Sequence, residues 1–327
     1  VLRDSAVIEH RRRGLLVAAA LGVLLAFVVA SATGTAAVTR AKKPTPRPPR
    51  IAPVFAHPYR GEGVWHPTGP PFKGGPPMLV ATYRPDTAAP SVYAYVAWFD
   101  HTRTSVGYYP GRSEPPNAAV RGPMEVPTGQ RWRLLAAFNS GFTYAYSGNG
   151  SSIGGRENEP LKPGLATLVQ YRSGAINILD WHGGAVASSR FAWARQSCPP
   201  IVWNGKANTA LNDGSTWGQA YPGPSPYVWR TAVGIDRGGN LIFVVADSQT
   251  VETLARLTIH VGAVRAMQLD INAFWHTLIT YRHKHGLHPT LVEPQPNHTA
   301  ERYLTPDDRD FFAVYRRMPG PVTDPFK

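Results

Sequence analysis

From residue 78 onward the chain breaks into short apolar runs, each closed by Gly, Pro, Asn or Asp. Residues 78–83, 91–99, 133–138, 166–171 and 175–179 have the length and composition of strands. Residues 201–203, 230–235, 241–246 and 311–315 repeat the pattern further on. The run 91–99 alternates aromatic with small residues, which predicts a strand with one face covered. The period changes once. Leu254, Leu257, Thr258 and Val261 recur at helical spacing, the stretch from Asp247 to Thr250 offers N-caps, and Gly262 supplies a stop. Residues 263–269 then read as a buried strand ending at Asp270. Strand, helix and strand within about 30 residues form a candidate crossover unit. The expected class is α+β: one mixed, β-sheet-rich domain with few helices over residues 78–318.

The N-terminal pattern differs. Arg11-Arg12-Arg13 precedes an uncharged, mostly apolar stretch at 14–39. Some 20 such residues, at about 1.5 Å each, cross a hydrocarbon core of about 30 Å. Residues 1–40 are therefore read as a basic cytoplasmic stub and a transmembrane anchor, with the rest of the chain outside the cell. The other reading is a cleaved signal peptide, since Thr35-Ala36-Ala37 resembles a small-residue cleavage site. Residues 41–77 follow as a Pro-rich basic spacer and an irregular wrap.

Composition narrows the function classes. The 327 residues carry 34 Lys and Arg against 21 Asp and Glu, a formal charge of +13. Of that excess, +7 lies in the first fifty residues (nine basic, two acidic), so it reads as membrane-flanking charge. No nucleic-acid-binding signature accompanies it. A lone cysteine, Cys198, excludes an intrachain disulfide and a CxxC pair. There is no P-loop, HExxH, G-x-S-x-G or EF-hand.

Four places have the residue types for chemistry. Phe138-Asn139-Ser140-Gly141-Phe142 puts an amide and a glycine at a strand end, suited to hydroxyls or phosphate oxygens, or else simply to a turn. Arg230 sits in an apolar run and needs an anion. That anion is either a substrate phosphate or a structural partner such as Asp270 or Asp247. Asp270 and Asn272 end an apolar strand, with His276 close behind; an aspartate there is a general acid, a general base, a metal ligand or a turn former. His283, His285 and His288 have a metal-compatible spacing but no acidic or thiol neighbour, and read as a solvated loop.

Taken in order, these pieces resemble the phosphodiester glycosidase family. Its pattern is an Asn-Gly-Gly-like turn, an Arg-Thr/Ser-x-x-Gly strand, a strand and helix, then Leu-Asp. The counterparts here are Asn139-Ser140-Gly141, Arg230-Thr231-Ala232-Val233-Gly234 and Leu269-Asp270-Ile271-Asn272. Gly155-Arg156, Pro160-Leu161-Lys162-Pro163-Gly164, Arg195-Gln196 and Trp217-Gly218 are similar to a membrane-anchored actinobacterial branch. Two motifs depart from the family: Leu-Asp-Gly-Gly-Gly-Ser is replaced by Leu269-Asp270-Ile271-Asn272-Ala273-Phe274, and the turn carries Ser140.

The resemblance implies an extracytoplasmic hydrolase of glycosyl phosphodiesters, in cell-envelope glycans or sugar-1-phosphate caps. Arg230, with Arg195 or Arg156, would hold the diester. Asp270 would assist sugar departure or activate water, and Asp247 and His276 are the candidates for a partner acid. Asn139, Ser140, Gly141 and Asn272 would line the substrate. No cofactor is implied, although Asp270 and Asp247 leave room for a divalent metal. The expected partners are the carbohydrate substrate and the membrane, not nucleic acid. The alternatives are a non-catalytic, membrane-anchored cell-wall glycan-binding protein and a surface module without a ligand.

Overall fold

A computed structural model describes residues 47–68, 75–184, 190–211, 216–218, 226–324 and 326. The expected membrane segment lies outside them. Among the described residues no helix is long and apolar enough to cross a membrane.

In chain order the strands are β1 (His66–Pro67), β2 (Met78–Tyr83), β3 (Ala94–Phe99), β4 (Thr104–Tyr109), β5 (Leu134–Asn139), β6 (Ser151–Ile153), β7 (Arg156–Glu159), β8 (Ala166–Tyr171), β9 (Ile176–Asp180), β10 (Phe191–Gln196), β11 (Pro200–Trp203), β12 (Lys206–Ala207), β13 (Val228–Asp236), β14 (Leu241–Gln249), β15 (Ala263–Gln268), β16 (Leu278–His283), β17 (Leu287–Leu291) and β18 (Phe311–Arg316). The α-helices among the described residues are α1 (Tyr144–Ser147) and α2 (Val251–His260). The strands form one eight-stranded sheet, β1-β2-β3-β14-β13-β15-β11-β12, and two five-stranded sheets, β7-β6-β10-β8-β9 and β17-β16-β5-β18-β4. The described part is thus β-rich with few helices.

The large sheet is covered on both sides. Val251, Leu254, Ala255 and Leu257 of α2 pack with Val96, Trp98, Ala232 and Val244 on one face. On the other face Phe99, Val233, Phe243 and Met267 meet Phe138 and Phe312 of one small sheet and Leu168 and Trp193 of the other. This corrects the reading of residues 91–99. The strand begins at Ala94, and both of its faces are covered rather than one: Ala94, Val96 and Trp98 pack on the α2 side, and Ala97 and Phe99 on the side of the small sheets.

Helix α2 starts where its cap chemistry places it. Thr250 Oγ1 accepts from the Thr253 amide at 3.1 Å, and Thr253 Oγ1 accepts from the Thr250 amide at 2.9 Å, a reciprocal capping box. The crossover exists with one strand inside it. β14 and β15 each pair antiparallel with β13, so they run parallel to each other on its two sides.

The histidine run is solvent-exposed at His285 and His288, but it forms a β-hairpin rather than a loop. His283 pairs with Leu287 across the β16–β17 hairpin, and its Nε2 lies 2.7 Å from the Leu134 carbonyl. His285 sits in the turn at φ +56°, and His288 Nε2 contacts the Lys284 carbonyl at 2.7 Å.

The sheets also share an end. The C-termini of β5, β10 and β15 and the N-termini of β13 and β18 converge there. Ser140 N donates to the Asp310 carbonyl at 3.2 Å, and Thr231 N donates to the Asp270 carbonyl at 2.9 Å.

Candidate active site

Asp270 leaves β15 at this shared end. Thr231 Oγ1 meets its amide at 3.0 Å, fixing its backbone against β13. Its carboxylate does two jobs. Oδ1 accepts from the Ile271 and Asn272 amides at 2.7 and 2.9 Å, which makes the turn. Oδ2 accepts from Arg309 Nη2 at 3.0 Å. The same Nη2 donates to the Gly141 carbonyl at 3.0 Å, and the guanidinium stands 5.1 Å from the Trp275 ring centre. Arg309 Nε is buried with no partner among the described residues.

This pair opens on a cleft of about 160 Å³ whose other walls are Phe142, Thr143, Tyr146, Gly218, Ile271, Asn272 and Trp275. The arrangement offers a paired carboxylate, a cation with a donor to spare, an amide and aromatic faces. That set suits a small ligand with an anionic end and an apolar ring face.

Several expected site residues are placed elsewhere by the fold. Arg230 points to the α2 side of the large sheet, because side chains alternate along β13 and Thr231 takes the other side. Its guanidinium donates to the Gln249 carbonyl (2.8 Å), the Trp217 carbonyl (3.2 Å) and Gln268 Oε1 (2.6 Å). No carboxylate among the described residues pairs with it, and burial pushes its pKa down to about 10. Neither Asp270 nor Asp247 is its counter-ion.

Arg195 is also buried away from the cleft. Its Nε donates to Asp310 Oδ2 at 2.7 Å and its Nη2 to the Phe142 carbonyl at 2.8 Å. Burial alone would lower its pKa; Asp310 and the phenols of Tyr144 and Tyr108 hold it well above the usual value instead. Arg156 is exposed on the edge strand β7 and does not line the cleft.

Asn139 is spent on the scaffold. Its Nδ2 donates to Thr231 Oγ1 at 2.9 Å and to the Ser140 carbonyl at 2.8 Å, and its Oδ1 accepts from the Thr277 amide at 3.1 Å. Ser140 is buried with Oγ unpartnered among the described residues. Gly141 is needed for packing: a β-carbon there would lie 2.9 Å from Ser197 Oγ.

Asp247 accepts from the Ser248 amide at 2.6 Å and is not in the cleft wall beside Asp270. His276 is buried, stacked at 4.0 Å on Trp229. Its Nδ1 is 3.7 Å from Glu293 Oε1, and burial raises the Glu293 pKa. The neighbouring Trp275 reaches the cleft and His276 does not. Of the expected residues, only Asp270 and Asn272 stand in the cleft wall, with Gly141 touching it through its carbonyl. Among the described residues no three His, Cys, Asp or Glu side chains form a group suited to a metal ion.

Arg309 is the residue that sequence reading missed. It lies 39 positions after Asp270, within Asp307-Asp308-Arg309-Asp310, immediately before the apolar strand β18. A cluster of charges pressed against a buried strand is the one local signal it gives.

Residues 149–270 match the phosphodiester glycosidase family. Asp270 is the last matched position, and Arg309 lies beyond the match. The chain is similar in fold to the catalytic domain of zebrafish N-acetylglucosamine-1-phosphodiester alpha-N-acetylglucosaminidase, at 15% identity and a TM-score of 0.50, over 76% of this chain and 87% of that one. A putative exported protein from Burkholderia pseudomallei aligns at 10% identity and a TM-score of 0.40, over 69% and 74% of the two chains. A hypothetical protein from Synechocystis aligns at 12% and 0.37, over 69% and 59%. No curated protein matches the sequence.

Proposed function

We propose that this protein is an extracytoplasmic hydrolase that cleaves a glycosyl phosphodiester, in a cell-envelope glycan or a sugar-1-phosphate cap. The family match supports a glycosidase-type hydrolase. The observation that carries the finer reading is the Asp270–Arg309 pair facing an aromatic-walled cleft.

In this reading Arg309, not Arg230, meets the diester. The guanidinium N–H groups not spent on Asp270 and Gly141 bind a phosphoryl oxygen, and its charge steadies the anion as the anomeric C–O bond breaks. The bonding pair leaves with the phosphate, a water oxygen takes its place on the anomeric carbon, and the proton that this water loses passes to the departing phosphate monoester. Asp270 Oδ2 steadies the positive charge that develops on the sugar. Asn272, which already accepts from the Phe274 amide at 2.9 Å, presents its side-chain NH2 to the water or a hydroxyl. A phosphate diester leaves readily, so no second carboxylate at glycosidase spacing is required. Asp247 and His276 have no part in this scheme. The extracytoplasmic location and membrane anchor rest on Arg11-Arg12-Arg13 followed by the apolar stretch 14–39.

The experiment is sugar release from a panel of glycosyl-1-phosphodiesters, with Asp270→Asn beside the wild type. A second reading, a non-catalytic glycan-binding cleft, is favoured by one fact: both Asp270 oxygens are already engaged. It predicts saturable glycan binding without a product.

A further inference from the structure

Two hydrogen-bonded paths leave the Asp270–Arg309 pair and meet at one carboxylate. From Arg309 the path is short: its amide donates to Asp307 Oδ1 at 2.8 Å. From Asp270 it runs through side chains. The Asp270 amide donates to Thr231 Oγ1 at 3.0 Å, and Asn139 Nδ2 donates to the same oxygen at 2.9 Å. Asn139 Oδ1 accepts from the Thr277 amide at 3.1 Å, and Thr277 Oγ1 accepts from Arg302 Nη1 at 2.7 Å. Arg302 then reaches Asp307 with two bonds, Nε to Oδ2 at 2.7 Å and Nη2 to Oδ1 at 3.1 Å. With Arg309 Nη2 on Asp270 Oδ2, the two paths make a closed ring whose members are all buried.

The ring also reaches the aromatic wall. Arg302 Nη1 donates to the Trp275 carbonyl at 3.1 Å, and the guanidinium groups of Arg302 and Arg309 stand 5.3 and 5.1 Å from the Trp275 ring centre. The two arginines have different tasks. Arg302 is forked onto Asp307, which balances its charge inside the fold, and it does not line the cleft. Arg309 does line it. Asp307 therefore holds two things at once: the backbone of the cleft's cation, and the arginine behind the cleft's tryptophan. Its neighbour Asp308 pairs with Arg112 at the surface, at 2.7 Å, and takes no part. Buried, fully paired networks of this kind hold one arrangement, and a site works only within about 0.5 Å of its productive geometry.

We propose that Asp307 and Arg302 are positioning residues: they fix Arg309 and Trp275 against Asp270, so that the cleft is assembled before a ligand arrives. Neither touches the substrate. The kinetic arm of the test rests on the hydrolase reading of the same cleft, and the structural arm does not. Misplacing a site group by about 1 Å costs on the order of 100-fold in rate, which bounds the expected effect.

Asp307→Asn keeps the size of the side chain and removes its charge and one acceptor oxygen. The test measures kcat/KM for a glycosyl-1-phosphodiester with the full 327-residue chain as wild type, Asp307→Asn, Arg309→Lys and the double variant. The expected result is a fall of about 10- to 100-fold in Asp307→Asn. Because the effect passes through Arg309, the double variant should lose at least about threefold less than the product of the two single losses. A merely structural role gives the full product. That outcome overturns the proposal, as does unchanged turnover by a folded Asp307→Asn. Thr277→Val, which opens the ring without removing a charge, replaces Asp307→Asn in the same comparison if that variant does not fold. Should the wild type cleave no diester, the hydrolase reading fails by itself. Crystal structures of the wild type and the variant then decide the positioning: loss of the Arg309 Nη2–Asp270 Oδ2 hydrogen bond in the variant supports it, and a bond kept at 3.0 Å overturns it.

Discussion

At the scale of single residues, the site turns on two side chains with different legibility. Asp270 could be picked out because it ends an apolar run and begins a turn. Both properties are real, since one carboxylate oxygen makes the turn and the other faces the cleft. Arg230 was equally conspicuous and stands on the wrong side. Side chains alternate along β13, so Arg230 points to α2 while Thr231 ties Asn139 and Asp270 together. Nothing in one strand's sequence tells which face meets which layer. Two substitutions separate the roles. Asp270→Asn keeps the shape and one acceptor but removes the charge; turnover should fall at least 100-fold with little change in melting temperature. Arg309→Lys keeps the charge but loses the planar fork, so KM for a diester should rise about tenfold, read by steady-state kinetics. Arg230→Lys, by contrast, should show its effect in stability and not in KM.

At the scale of elements, apolar runs bounded by turn residues were readable as strands, and the change of period marked α2. The contacts that assemble the site join distant elements, and local patterning carries no record of them. The clearest case is Arg195 of β10 and Asp310 at the head of β18, 115 residues apart, buried together behind the cleft while Arg195 also holds the Phe142 carbonyl. Arg195→Met leaves the buried Asp310 carboxylate without its cation, held only by the Tyr108 hydroxyl at 2.9 Å, and should cost about 3–5 kcal/mol in urea denaturation. Removing the cap of α2 with Thr250→Ala should cost about 1 kcal/mol by the same measurement. A third device is sensitive to acid. His298 stacks on Trp275 with ring centres 5.5 Å apart, and burial, then Arg302, pushes its pKa down to about 4. An unfolded histidine binds its proton near pH 6.5, so the unfolded chain is favoured as pH falls from about 6.5 to about 4. Melting temperature should decline across that window, and His298→Gln should flatten the decline.

At the scale of the whole molecule, three layers bury both faces of the large sheet and leave their shared end as the place where strand termini and turns converge. That end carries the cleft, as sheet-end loops held by a rigid scaffold commonly do. The class of fold could be anticipated from the recurrence of short apolar runs and the scarcity of helical periods. The partition into three sheets could not, because register between strands far apart in sequence is set by packing. The apolar stretch at 14–39 supplies the expected address. If the chain is anchored with its folded part outside, protease added to intact cells should digest residues 47–327 while the N-terminal stub stays protected.

The central claim is that Asp270 and Arg309 form the working centre of a glycosyl phosphodiester hydrolase. The most direct measurement is release of free sugar from a panel of glycosyl-1-phosphodiesters by the wild type, Asp270→Asn and Arg309→Lys in parallel. The account predicts release by the wild type, loss with Asp270→Asn, and a raised KM with Arg309→Lys. Unchanged release by a folded Asp270→Asn, or no release by the folded wild type from any diester, would contradict it.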